Sequence, residues 1–95
     1  MEPARPVTHP VLARFARYRW DKIREQHQVV YPEGVLVLNE SSAEILDLMD
    51  GRSEDDLVEA LVEKFGSEEI RDDVQEFLKT LFLKGLLANA SDNDR

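Results

Sequence analysis

The order of the sequence patterns, with strands in the first half and helices in the second, most constrains how this chain can fold. From Ala16 to Asp21 small or aromatic residues alternate with charged ones, which predicts a half-exposed strand. Two more short strands are predicted at 28–31 and 35–38, separated by Pro32 and Gly34, residues that end a strand and permit a turn. From Ser41 to Leu83 apolar residues recur at helical spacing instead.

The helical half carries start and stop signals for three helices. A serine that can cap the backbone precedes each helix, and a glycine that can adopt a left-handed conformation follows each one. These residues are Ser41, Ser53 and Ser67 at the starts and Gly51, Gly66 and Gly85 at the ends. The last helix has the strongest apolar face, formed by Ile70, Val74, Phe77, Leu78, Leu81 and Phe82. We therefore predict an α+β, winged-helix-like domain in which a small antiparallel N-terminal sheet is followed by three helices.

Length and composition predict one small domain. We place an extended arm at 1–14, a single domain at 15–87 and a polar tail at 88–95. The net charge of −8 is unevenly distributed, because residues 1–30 carry six bases and three acids (+3) and residues 31–95 carry six and seventeen (−11). The chain has no cysteine, no apolar run that could span a bilayer and no signal peptide, so we expect a cytoplasmic protein.

The sequence offers no catalytic or ligand-binding set. The only histidines, His9 and His27, fall in the arm and in a predicted turn, where we expect both to be exposed. Most acidic pairs lie in first helical turns, where the helix dipole explains them, and no calcium loop or phosphate-binding glycine loop is present. We expect no enzyme activity, no metal and no organic cofactor.

Nucleic-acid binding is the alternative, because winged-helix domains often bind DNA. A basic cluster with two aromatic residues could contact a phosphate backbone; it comprises Arg14, Arg17, Arg19, Lys22 and Arg24 with Tyr18 and Trp20. Residues 68–84, however, carry five acids and three bases, and this net charge of −2 repels phosphate. We expect Tyr18 and Trp20 to pack in the core beneath the helices.

The third strand, Val35 to Leu38, is apolar on both faces. A strand of so small a sheet normally has one solvated face. Either helices and loops cover both faces, or part of the strand is open to a partner. An open sheet edge can accept a peptide as an additional strand.

Several motifs together resemble the PqqD family. Residues 17–24 resemble its R-x-R-x-D-x-(V/I)-R segment, Pro32-Glu33 its P-E pair, and 50–52 its D-G-R turn. The last helix is similar in Asp73-Val74, Phe77-Leu78, Leu81 and Gly85-Leu86. The resemblance runs from about Val11 to Leu87, and the chain departs from it at Val30-Tyr31 and in its longer acidic tail.

The resemblance implies a non-catalytic peptide chaperone. Members of the family bind the precursor peptide PqqA in pyrroloquinoline quinone biosynthesis and present it to the radical-SAM enzyme PqqE. In such recognition domains the leader peptide adds a strand beside the third strand and lies against the last helix. The predicted peptide-binding residues are therefore Val35, Leu36, Val37, Leu38, Asp73, Phe77 and Leu81. The sequence leaves open whether the chain is a monomer or a strand-exchanged homodimer.

Overall fold

The computed structural model describes residues 7–90 as a three-stranded sheet, a two-stranded ribbon and three helices. The elements are β1 (Pro10–Leu12), β2 (Arg17–Asp21), β3 (Gln26–Tyr31), β4 (Gly34–Leu38), α1 (Glu40–Asp47), α2 (Glu54–Phe65), α3 (Ile70–Leu83) and β5 (Leu87–Asn89). The predicted α+β, winged-helix-like class is confirmed. No helix among residues 7–90 is long and apolar enough to cross a membrane.

The three-stranded sheet is antiparallel in the order β2-β3-β4. Trp20 pairs with His27, and Val29 pairs with Tyr18 on one side and Leu36 on the other. Because side chains alternate across a strand, these residues share the sheet face that looks toward the helices. Val29 is fully buried at the centre of that face, and it joins the sheet to the helical core.

The helices bury one continuous apolar cluster. Helix α3 packs against both α1 and α2, which places its apolar stripe at the centre of the domain. The fully buried side chains of the helical half are Ile45, Leu57, Leu61, Val74, Leu81 and Leu86. Phe82 was expected in this stripe but is exposed, because it lies at the solvent side of the last turn of α3.

The ribbon of β1 and β5 lies in segments that the sequence assigned to the arm and the tail. Pro10 pairs with Asn89 and Leu12 with Leu87, and the Ala13 N–H donates to the Leu86 carbonyl at 2.8 Å. The Glu54 N–H also donates to the Thr8 carbonyl at 2.8 Å, which ties the first segment to the start of α2. The expected boundaries at 14 and 88 therefore differ from the structure, in which residues 10–12 and 87–89 are paired strands. Residues 1–6 and 91–95 of the arm and tail lie outside the described residues.

The helix caps agree with the sequence in part. Ser53 caps α2 by accepting the Asp56 N–H at 3.1 Å, as predicted. Helix α1, however, is capped by Asn39 rather than Ser41, since β4 runs directly into the helix and the Asn39 side chain accepts the Ser42 N–H at 2.7 Å. Ser67 accepts the Glu69 N–H in a turn that precedes α3.

Gly66 ends α2 in the left-handed conformation, with φ of 67°. A β-branched residue is strained there, so Gly66→Val is expected to lower the free energy of unfolding by about 1–2 kcal/mol. Urea unfolding followed by circular dichroism measures this change. Gly34→Ala is the control, because Gly34 has no positive φ and an added Cβ would make an ordinary 3.7 Å contact with the Tyr31 hydroxyl. Equal stability of the Gly66 variant and the wild type would contradict the assignment.

Candidate functional site

The outer edge of β4 is unpaired. No strand among residues 7–90 pairs with β4 on the side away from β3. The backbone of that edge therefore presents donors and acceptors that another extended chain can use.

The hairpin turn decides which β4 amides reach the open edge. Tyr31 and Gly34 are register partners that flank the two-residue loop Pro32–Glu33. The closing pair of so short a loop must be hydrogen-bonded to each other, since the other ladder pattern would require a bond between the two adjacent loop residues. Hydrogen-bonded and non-bonded pairs then alternate along β4. The N–H groups of Val35 and Val37 consequently point outward, and those of Leu36 and Leu38 point to β3.

A groove of about 220 Å³ lies beside this edge, between β4 and α3. One wall is Leu36, Val37 and Leu38, and the start of α1 closes one side with Asn39, Ser41, Ser42 and Ile45. The opposite wall is formed by one face of α3, namely Asp73, Glu76, Phe77 and Thr80. The fold thus brings together residues that are about forty positions apart in the sequence.

Five of the seven predicted peptide-binding residues line this groove: Leu36, Val37, Leu38, Asp73 and Phe77. Leu81 does not line it, because its side chain is fully buried in the core. The Val35 side chain is half exposed on the opposite face of the sheet, although its N–H lies at the open edge. The sequence missed Glu76 and Thr80 on α3 and the four lining residues at the start of α1. Glu76 and Thr80 follow Asp73 and Phe77 at helical spacing and could have been included on that ground.

The two faces of β4 differ. Leu38 is buried against the core, and Leu36 is partly buried on the same face, whereas Val35 and Val37 are 51% and 54% exposed. The sequence left open whether both faces of β4 are covered or part of the strand is exposed. In the structure, the outer face of β4 is exposed.

The groove is acidic along α3. Asp73 and Glu76 are exposed, and neither forms an ion pair with another residue among 7–90. The exposed carboxylates of α3 also repel phosphate, so the structure does not favour the nucleic-acid alternative. No group of three or more potential ligands among the described residues could hold a metal ion.

The D-G-R turn is structural. Arg52 donates from Nε and Nη2 to the two Asp50 carboxylate oxygens at 3.0 and 2.8 Å, and its backbone N–H also reaches Oδ1. These bonds from Arg52 lower the pKa of Asp50 to about 2. Gly51, with φ of 105°, allows the chain to reverse between α1 and α2.

Asp21 organises the turn between β2 and β3. Its carboxylate accepts the N–H groups of Ile23 and Arg24 at 3.0 and 3.1 Å, and Gln28 Nε2 at 3.2 Å. The hydrogen bond from the Arg24 backbone is the main cause that lowers the pKa of Asp21, and desolvation opposes it. Because this carboxylate fixes the turn at residues 22–25, β3 begins at Gln26, two residues before the predicted start.

Tyr18 and Trp20 are not in the core, which corrects the expectation from the sequence. They are 46% and 45% exposed, and neither belongs to the buried cluster that joins the sheet to the helices. His27 is partly buried between them rather than exposed. Near these residues lies a larger cavity of about 430 Å³, lined in part by Tyr18, His27 and Met49.

The fold and the groove together define a small α+β domain with one open strand edge beside a helix. A sequence profile described as "Coenzyme PQQ synthesis protein D (PqqD)" matches residues 26–87. The chain therefore belongs to the PqqD family. The resemblance noted in the sequence is confirmed.

Similar proteins extend this result. The PqqA binding protein of Azotobacter vinelandii is 44% identical over 72 residues, which cover 74% of this chain and 78% of that protein. The PqqA binding protein of Methylococcus capsulatus is 33% identical over 81 residues, covering 84% and 87%. The solution structure of the PqqD part of Methylobacterium extorquens PqqCD, described as a stand-alone recognition element for ribosomally synthesized and post-translationally modified peptides, superposes with a TM-score of 0.71. It is 28% identical, and the match covers 84% of this chain and 88% of that one.

Proposed function

We propose that this chain is a non-catalytic peptide chaperone of pyrroloquinoline quinone biosynthesis. In this proposal it binds the precursor peptide PqqA in the cytoplasm and presents it to the radical-SAM enzyme PqqE. The names of the relatives and their coverage of the chain support the peptide as the ligand. The observation that carries the binding mode is the unpaired outer edge of β4 beside the groove.

The peptide pairs with β4 as a fourth strand. Main-chain bonds to Val35 and Val37 set its register, and every second side chain of the added strand turns into the groove between β4 and α3. Leu36 and Phe77 supply apolar contacts there, while the backbone contacts are independent of the peptide sequence. Specificity therefore comes from the groove, and the edge contributes affinity.

The free carboxylates of α3 select the charge of the peptide. Asp73 and Glu76 line the groove without an ion pair among residues 7–90. A basic residue of the peptide placed opposite them gains an attraction that salt weakens, because both carboxylates are exposed to solvent. An acidic residue at the same place is repelled.

An amide-shift titration of the labelled chain with PqqA tests the proposal. The largest chemical-shift changes are expected at residues 34–39 and along the groove face of α3. A peptide of the same composition in scrambled order is the control, and it should bind much more weakly, because it gains only the sequence-independent contacts of the edge. Saturable changes confined to residues 14–24, with β4 unmoved, would contradict the assigned site. Absence of binding would contradict the proposed function itself.

A further inference from the structure

The arginines of the R-x-R-x-D segment have no part in the fold or in the groove. Asp21 and Arg24 of that segment form the turn that follows β2, but Arg17 and Arg19 are exposed. Neither arginine forms a side-chain hydrogen bond or an ion pair with any residue among 7–90. Two guanidinium groups on the same face of β2, unpaired within residues 7–90, are therefore available to a partner.

Aromatic side chains alternate with these arginines along β2. Arg17, Tyr18, Arg19 and Trp20 form four consecutive exposed residues of the strand. Exposed apolar residues continue at both ends, at Phe15 and at Ile23, whose exposure is 92%. Arginine, tyrosine and tryptophan are the residue types that most often dominate the binding energy of protein interfaces. We call residues 14–24 the β2 surface.

The aromatic side of the β2 surface is held in place before any partner binds. The Tyr18 hydroxyl and His27 Nδ1 are 2.7 Å apart, and the Trp20 ring packs edge-on against the His27 ring at 4.9 Å. His27 Nε2 lies 3.1 Å from a carboxylate oxygen of Glu40, at the start of α1. Side chains that are already ordered lose less conformational entropy on binding. The neighbouring 430 Å³ cavity, lined in part by Leu12 and Leu46, adds room for an apolar anchor.

The β2 surface lies on the opposite edge of the sheet from the groove. Strand β2 is an edge strand, and no strand among residues 7–90 pairs with its outer side. A partner that approaches along this edge meets Arg17 and Arg19 from one sheet face and Tyr18 and Trp20 from the other. Strand β3 separates this partner from a peptide on β4, so both can be bound together.

We propose that the β2 surface docks the enzyme to which the bound peptide is presented. The enzyme contributes carboxylates opposite Arg17 and Arg19, and apolar groups opposite Tyr18 and Trp20. This inference rests on the proposed function and names the surface that brings the chaperone and the enzyme together.

The charge distribution of the chain indicates that the protein bound at the β2 surface has an acidic surface. Residues 14–24 contain five bases and one acid, a net +4, and that acid is the buried Asp21 paired with Arg24. Since the whole chain is −8, the remaining residues sum to −12. An acidic patch is repelled by the rest of the chain and is directed to β2. A nucleic acid meets the same repulsion over its greater length and makes no use of the exposed Ile23.

Protection of the edge explains only part of the pattern. Charged side chains on an edge strand discourage aggregation, which accounts for Arg17 and Arg19. Exposed Tyr18 and Trp20 on the same strand have the opposite effect, because they favour association. A strand on which exposed charged and aromatic residues alternate fits a protein-binding interface better than an edge that is only protected against aggregation.

Binding of purified PqqE and of PqqA to the full chain, measured separately by calorimetry, tests this surface. Arg17→Glu/Arg19→Glu and, independently, Trp20→Ala are each expected to weaken PqqE binding about tenfold or more. Both variants are expected to bind PqqA within about twofold of the wild type. Lys79→Glu is the control for charge reversal, since Lys79 is exposed on α3 and does not line the groove.

The outcomes separate this inference from the proposed function. Unchanged PqqE binding by both β2 variants overturns the docking surface and leaves the peptide chaperone intact. A wild-type chain that binds PqqA but not PqqE overturns the docking surface together with presentation. If the variants instead abolish self-association in sedimentation, or a mobility shift with DNA at low salt, the occupant is a second copy or a nucleic acid and the inference is wrong.

Discussion

Val37→Pro is expected to weaken binding of the precursor peptide PqqA about tenfold or more while the domain remains folded. The Val37 N–H points to the open edge of β4, so proline removes a donor to the peptide and leaves the bonds to β3 intact. The peptide carbonyl that loses this donor is left unsatisfied at a partly desolvated site, which costs about 1–3 kcal/mol. Calorimetric titration with PqqA measures the loss, and circular dichroism confirms the fold.

Two matched variants isolate the backbone effect. Val37→Thr keeps the N–H group and the branched shape and is expected to retain binding within about threefold. Leu36→Pro, one residue earlier, removes a donor to β3 and is expected to destabilise the domain itself. A folded Val37→Pro variant with wild-type affinity would show that the peptide does not pair with β4.

Leu81→Ala is expected to lower the free energy of unfolding by about 2–5 kcal/mol. The Leu81 side chain is fully buried, and its truncation leaves a cavity at the centre of the helical cluster. Small domains have total stabilities of only about 5–15 kcal/mol, so the loss is a large part of the whole. Urea unfolding measures it, and reduced peptide binding by this variant is expected to follow the folded fraction.

Phe82→Ala is the matched control for this prediction. Phe82 is the next residue of α3 and has the larger side chain, but it is 55% exposed. Its truncation is expected to change stability by less than about 1 kcal/mol. A larger loss in the free energy of unfolding for Phe82→Ala than for Leu81→Ala would show that the Phe82 side of α3, not the Leu81 side, faces the core.

The two edges of the sheet give the proposed chaperone two separate binding surfaces. The peptide groove and the β2 surface lie on opposite edge strands of one three-stranded sheet. They are connected through β3 and through His27, which bonds to Tyr18 on one side and to Glu40, next to the groove residue Asn39, on the other. On this proposal the chain holds the peptide at one edge of the sheet and contacts the enzyme at the other.

Some parts of the site were predictable because they depend on local patterns. The apolar spacing of α3 placed Phe77 and Asp73 on a predicted helix, and the apolar run at 35–38 identified β4. Other parts were not, because exposure depends on what packs above a residue. Tyr18 and Trp20 alternate as buried strand residues do, but both remain about half exposed and outside the buried cluster. Likewise, Leu81 and Phe77 share one helical stripe, although only Phe77 reaches the groove.

The sequence by itself determined the order of β2, β3, β4 and the three helices, the ends of α2 at Ser53 and Gly66, and the family. The elements follow from backbone preferences and from periodicities within about ten residues of the chain, whereas the family follows from the resemblance of several short motifs that occur together. The tertiary structure alone decided that β2 and β4 are the open edges, that β1 pairs with β5, and that β4 and α3 enclose one groove. Each of these depends on contacts between residues that are distant in sequence. Local patterns show that a strand or helix has an apolar face, but they do not show which other element packs against it.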